Sequence, residues 1–244
     1  MRNVRLDLCY EGTRYRGWQR LSNTDNTLQA KLETTLSRIL NEKIEVSASG
    51  RTDAGTHARR QVVNFHCENQ MPCDEILLQL RRYLPEDVGI YSCRNVSPRF
   101  HARLNAKTKT YAYRVWNSDR PCVFERRFVH IDPRPISIEK MRQAAEYFLG
   151  EHDFSAFCAN KNIKKSTVRY IESLDIVTCG DEIVFTVTGN GFLHHMVRIM
   201  VGTLLEIGRG ERIPESIHTL FGGNRADAGE LIPACGLCLM EVTY

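Results

Sequence analysis

Val4, Leu6, Leu8 and Tyr10 alternate with Arg5, Asp7, Cys9 and Glu11. A period of two marks a strand with one buried face, and a slip of one residue would turn every apolar side chain to water. Similar short segments recur at KIEVSAS (Lys43–Ser49), QVVNFH (Gln61–His66), Val88–Val96, KTYAYRVW (Lys109–Trp116) and Gly236–Tyr244. Ser166–Thr178 and Glu182–Thr188 read as a hairpin around Cys179-Gly180-Asp181. Between them lie stretches of helical period. Asn26, with Gln29 three residues on, caps an apolar stripe of Leu28, Leu32, Leu36 and Ile39. Further helices are expected at Asp74–Tyr83, from Ser137 to Leu149 before Gly150, and at His194–Ile207 before Gly208 and Gly210. The last should bury Met196, Ile199, Met200, Thr203 and Leu204, and Pro214 should start a short helix beyond it. Pro121–Pro135 reads as loop.

Strands and helices do not alternate one for one, so the pattern points to α+β with a mostly antiparallel central sheet and helices packed against it. No Pro/Gly/Ser-rich linker interrupts the chain. One sheet shared by two subdomains is expected, residues 1–108 carrying the glycine loop discussed below and residues 109–244 completing the sheet. With 42% hydrophobic and 25% charged residues, 244 residues can build a real core. No run of eighteen apolar residues exists to span a membrane. The opening MRNVRLDLCYEG is too polar and too regular for a signal peptide. Nine cysteines without an export signal read as reduced thiols in the cytoplasm.

The formal net charge is only +4, but its distribution is uneven. Val88–Ser118 contains no acid and carries Arg94, Arg99, Arg103, Lys107, Lys109 and Arg114. Phe154–Ile171 contains none and carries Lys161, Lys164, Lys165 and Arg169. Such segments fit a polyanionic partner or a solvated surface whose acids lie nearby in space.

ASGRTDAGTHA (Ala48–Ala58) connects two of the strands. Asp53 is its only acid, and the next acids along the chain are Glu45 and Glu68. A turn explains the two glycines. It does not explain a carboxylate among Arg51, His57, Arg59 and Arg60, which would stay ionised and could approach a bulky anionic substrate as nucleophile or base. The loop lacks the Gly-Lys-Ser/Thr of a phosphate loop and the spaced carboxylates of a hard-cation loop. CGLC (Cys235–Cys238) has no second pair to complete a zinc site, so structural cysteines are expected. In HHMVR (His194–Arg198), adjacent histidines on a helix would point about a hundred degrees apart. Arg198, in an apolar run, needs a partner: Asp53, Glu206, another acid, or water. Tyr111 and Tyr113 share a strand face, Tyr113 as core and Tyr111 placed to stack on a base.

YEGTRYRGWQR, GRTDAGTHA…QVVNF, FHARLNAKTKTYAYRVWN, HHMVRIMVGTLLEIG and PACGLCLMEV together resemble the tRNA pseudouridine synthase A (TruA) family, in order over about Arg5–Tyr244. The resemblance implies the pseudouridine synthase fold and a cofactor-free homodimer with an RNA-binding cleft completed by the C-terminal subdomain, and the lack of a ligand cluster with workable spacing predicts activity without metal. It implies isomerisation of uridines at positions 38, 39 and 40 of the tRNA anticodon stem-loop. It implies Asp53 as nucleophile, Tyr111 against the uridine, Arg51 helping to extrude the base and Arg198 paired with Asp53. The chain departs from the usual pattern at Thr56 and Arg60, where the family often has Val and Gly; Arg59-Arg60 bears on RNA approach. A non-catalytic RNA-binding protein of this fold, a synthase acting at another RNA site, and a glycosidase are the alternatives, although a glycosidase ordinarily needs two carboxylates. Arg59, Arg60, Lys107, Lys109, Lys161, Lys164 and Lys165 are the expected phosphate contacts.

Overall fold

The computed structural model describes every residue except 161–164. The chain forms two compact units, one of residues 1–107 with 239–244 and one of residues 108–238. The fold is α+β in both.

The first unit contains β1 (Arg2–Tyr10), α1 (Leu28–Leu40), β2 (Val46–Ala48), β3 (His57–Cys67), α2 (Cys73–Tyr83) and β4 (Val88–Val96). β1 lies between β4 and β3, antiparallel to both, and β2 pairs antiparallel with β3. The alternating residues Val4, Leu6, Leu8 and Tyr10 are buried, as are Leu32 and Leu36 of α1 and Ile76 and Leu80 of α2. The opposite face of β1 is not simply solvated. Asn3 and Asp7 are buried, because β1 is a central strand. The Asn3 side-chain amide donates to the carbonyls of Ser97 and Phe100, while Arg5 and Arg94 pair with Asp7.

The second unit contains β5 (Lys109–Trp116), β6 (His130–Ile131), α3 (Ile138–Glu146), β7 (Gly150–Asp153), β8 (Val168–Cys179), β9 (Glu182–Gly189), α4 (Met196–Gly208) and α5 (Ile217–Leu220). Strands β5, β9, β8 and β7 pair antiparallel in that order. β6 falls inside the expected loop and pairs parallel with β5, Val115 opposite His130. Phe148, Phe154 and Phe157 are fully buried and, with Phe221, form a cluster of ring pairs 5.3–6.4 Å apart. The closing strand β10 (Leu237–Val242) begins in the second unit and ends in the first.

Several boundaries move for local reasons. The α1 cap is Thr27, whose hydroxyl accepts from the Ala30 N–H; Asn26 instead donates to the Arg14 carbonyl and ties down the preceding loop. The strand expected at Lys43–Ser49 shrinks to β2, because the Ile44 and Val46 N–H groups are taken by the Ser37 hydroxyl and the buried Glu33 carboxylate. α3 is capped by Ser137 but stops at Glu146. The next three N–H groups bond three residues back, and Gly150 takes φ +91° to begin β7. The hairpin turn is the two residues Gly180-Asp181, with φ +59° at Gly180.

Candidate active site

The Asp53 loop is held by main-chain and side-chain bonds together. Its turn closes through the Thr56 N–H donating to the Asp53 main-chain carbonyl at 3.1 Å, with φ +81° at Gly55, a conformation that favours glycine. The segment after β1 straps the loop from outside. The Trp18 N–H donates to the Thr52 carbonyl at 3.0 Å, and the Gly12 N–H donates to His57 Nδ1 at 3.0 Å. The hydroxyls of Thr52 and Tyr10 lie 2.8 Å apart. Gln61 joins the base of the loop, accepting from the Ser49 hydroxyl at 2.6 Å and donating to the Gly50 carbonyl at 3.0 Å. None of these bonds uses the Asp53 carboxylate.

Two glycines make the strap possible. A Cβ on Gly12 would lie 1.9 Å from the Thr56 carbonyl oxygen. Gly17 sits at φ +90°, and its Cβ would lie 2.9 Å from the Thr52 oxygen. Spacing in YEGTRYRGW and GRTDAGTHA could not show that one segment lies on the other. The roles of Gly12, Gly17, Thr52 and Gln61 therefore emerge only here.

Asp53 is half-buried, and Arg51 is exposed on the same loop. His57 is buried and its Nδ1 accepts a backbone N–H, so it is a structural member of the strap rather than one of the cations around the carboxylate. Arg59 and Arg60 are exposed at the start of β3.

Tyr111 and Arg198 belong to the second unit. Tyr111 lies on β5 opposite Val187, 7% exposed, with the Phe192 ring edge-on at 5.1 Å. Tyr113 is fully buried and donates its hydroxyl to the Pro233 carbonyl at 2.6 Å. Burial, followed by the nearby Cys235 thiol, pushes its phenol far above the ordinary range.

Arg198 stands in the first turn of α4, half-buried, and its Nε donates to the Ile232 carbonyl at 2.8 Å. The 229–232 segment runs antiparallel along α4. The Gly229 N–H donates to the Thr203 hydroxyl at 3.0 Å, and a Cβ on Gly202 would lie 2.1 Å from the Glu230 carbonyl oxygen. Glu206 is taken by Arg212 at 2.5 Å and by the Glu230 N–H at 2.8 Å. The two histidines before α4 do not diverge as they would within a helix. His195 has φ +65°, so the helix begins after it, and the His194 and His195 ring centroids come within 3.7 Å. Cys235 donates to the Val129 carbonyl at 3.2 Å, and burial pushes its thiol pKa up, in line with a structural cysteine.

The acid-free segments separate in space. Arg114 is held by Glu182 at 2.7 Å and Glu125 at 2.9 Å, and Arg94 by Asp7 at 3.3 Å. Arg99, Arg103, Lys107 and Lys165 are exposed. Arg169 donates to the Ser166 and Val168 carbonyls. Lys161 and Lys164 lie outside the described residues. No helix among the described residues is long and apolar enough to cross a membrane.

A family model described as tRNA pseudouridine synthase matches residues 9–105 and 144–244. The chain is 43% identical over its full length, and the full length of the relative, to tRNA pseudouridine synthase A of Bacillus sp. (strain KSM-64). On the same full coverage it is 42% identical to tRNA pseudouridine synthase A 1 of Clostridium tetani and 40% identical to tRNA pseudouridine synthase A 2 of Bacillus cereus (strain ZK / E33L). The chain belongs to the tRNA pseudouridine synthase A family, and it is an enzyme, an isomerase. A chain in a crystal structure of a Cbf5-Nop10-Gar1 complex matches 97% of this chain and 48% of its own at a TM-score of 0.41 and 13% identity, too weak a likeness to bear on the fold.

Proposed function

We propose that this enzyme converts uridine to pseudouridine in the tRNA anticodon stem-loop, at positions 38, 39 and 40, with Asp53 as the nucleophile. The family carries the reaction and the tRNA substrate. The loop supports the residue: Asp53 is half-buried on a glycine turn whose main chain is tied down, beside the exposed Arg51.

In the reaction the N1–C1′ bond breaks, the uracil turns, and C5 bonds to C1′. The proton lost from C5 is balanced by one gained at N1, so the product is equal in mass to uridine. A uridine inside a stem must first leave its stack, at a cost of a few kcal/mol. Arg51, exposed beside Asp53, helps to extrude the base. Tyr111 contacts the uridine, with Phe192 fixing its ring. Arg198 pairs with Asp53 and orients it. The enzyme works as a cytoplasmic homodimer without cofactor or metal.

The test is incubation of the purified chain with unmodified tRNA. The expected product is an isobaric nucleoside at positions 38–40, formed equally well after chelation. A product confined to another site would move the substrate assignment. Binding without any product would favour the non-catalytic RNA-binding reading.

A further inference from the structure

Two irregularities meet on β1 within three residues. Leu8 pairs with Gln61 and Tyr10 with Ala58, so Cys9 faces both Arg59 and Arg60 of β3. On the other side Asp7 pairs with Ser92 and Leu8 with Ile90, so Tyr91 of β4 is an extra residue. A β-bulge re-aims the side chains it carries. Here the bulges set the Arg60 guanidinium over the Tyr91 ring, 5.6 Å from its centroid. The β4 bulge is braced from behind, where Arg81 of α2 donates to the Ile90 carbonyl at 3.0 Å and the Tyr91 carbonyl at 3.2 Å.

This group is built, exposed and unneutralised. Tyr91 is 52% exposed, and Arg59 and Arg60 are both exposed. Among the described residues no carboxylate lies within ion-pair reach of Arg59 or Arg60. Asp7 is already engaged by Arg5 and Arg94, and Asp87 by Arg14. A guanidinium lying over a ring keeps its planar fork oriented with its edge donors outward, the arrangement that receives a phosphate.

We propose that Arg60, with Arg59 beside it, binds a phosphodiester of the substrate tRNA, and that Tyr91 is the positioning residue that holds the Arg60 fork. The contact lies on the strand that begins two residues after Gly55, in the same unit as Asp53, and so bears on how the RNA strand approaches that loop. This inference rests on the proposed tRNA substrate.

The test combines tRNA binding over a range of salt with steady-state turnover. Arg60→Ala should weaken binding about tenfold and reduce the slope of log affinity against log salt by about one. Its effect should fall on KM more than on kcat. Tyr91→Ala should move KM and the slope in the same direction, Tyr91→Phe should restore both, and Arg60→Ala/Tyr91→Ala should be no worse than Arg60→Ala alone. An Arg60→Ala variant with unchanged slope and KM would overturn the phosphate contact. A Tyr91→Ala variant that changes only Tm would overturn the positioning role. The slope is read from binding, so it tests the contact even if wild-type protein makes no pseudouridine, the result that would instead overturn the proposed reaction.

Discussion

The Asp53 loop and the head of α4 are both places where one segment lies backbone to backbone on another, and they are held in opposite ways. In the loop, main-chain atoms, glycines and the neutral side chains of Tyr10, Thr52 and Gln61 form the turn and the strap. At α4 the charged side chain is scaffold, since Arg198 donates to the Ile232 carbonyl and Thr203 receives the Gly229 N–H. The difference predicts which substitutions separate function from stability and which mix them.

The largest effect is expected at Asp53. Asp53→Asn should cut turnover by at least about a thousandfold while leaving tRNA affinity within about twofold. Tm should change by no more than about 1 °C, because Asn keeps the shape of Asp and leaves the main-chain turn and the strap in place. Turnover above a tenth of wild type would remove the residue from the role, and a large fall in Tm would break the comparison.

Gly12→Ala attacks the same loop through its frame. With a Cβ 1.9 Å from the Thr56 oxygen, the strap must shift. A loss of about 3 kcal/mol, roughly 10 °C in Tm, is expected together with lost turnover, read by thermal melting and product formation. Normal Tm would show that the strap yields freely.

Arg198→Met should mix both signatures. Turnover should fall about 10–100-fold if the guanidinium orients Asp53. Stability should fall by about 1–2 kcal/mol from the lost bond to Ile232, which Asp53→Asn would spare. Near-normal turnover with reduced Tm would confine Arg198 to the scaffold.

The smallest effect concerns pH and lies in the second unit. Burial lowers the pKa of His130, whose buried Nε2 has no hydrogen-bond partner among the described residues. Burial pushes the Asp132 carboxyl up, but its hydrogen bonds to Arg134 and the charges of Arg134 and Arg209 outweigh this and lower its pKa. Both folded pKa values lie below their unfolded ones, so each group contributes stability above its unfolded pKa and loses it as pH falls through the folded value. Tm should decline on acidification below about 6.5, the ordinary histidine value, and His130→Gln should flatten the upper part of that decline. A Tm independent of pH between the histidine and carboxylate ranges would contradict the His130 assignment.

Much of this was legible in the chain because it is local. Val88–Val96 and Lys109–Trp116 are strands with the expected limits, since alternation reports a pleated face directly. Met196, Ile199, Met200, Thr203 and Leu204 are all buried on α4. Ser137 caps α3 because its hydroxyl needs only the Lys140 N–H three residues on. Asp53 stood out as a lone acid, and the glycine beside it at position 55 does adopt positive φ.

Contacts between distant segments were not legible. An acid-free stretch of sequence said nothing about which arginines meet acids in space. Arg114 is neutralised by Glu182, sixty-eight residues away, whereas Arg60 lies over the Tyr91 ring and meets no carboxylate among the described residues. His57 looked cationic until a backbone N–H from Gly12 fixed its role. The α4 histidines depended on one positive φ at His195. By itself the sequence determined most of the elements, though not β6 or β7, together with their buried faces and the family, because hydrophobic period, capping and motif order are properties of neighbouring residues. Only the tertiary structure decided the strap over the Asp53 loop, the twin bulges at Arg60 and Tyr91, and the paired and unpaired charges. Each of these depends on where remote strands fall into register, and register is set by the packing of the whole unit.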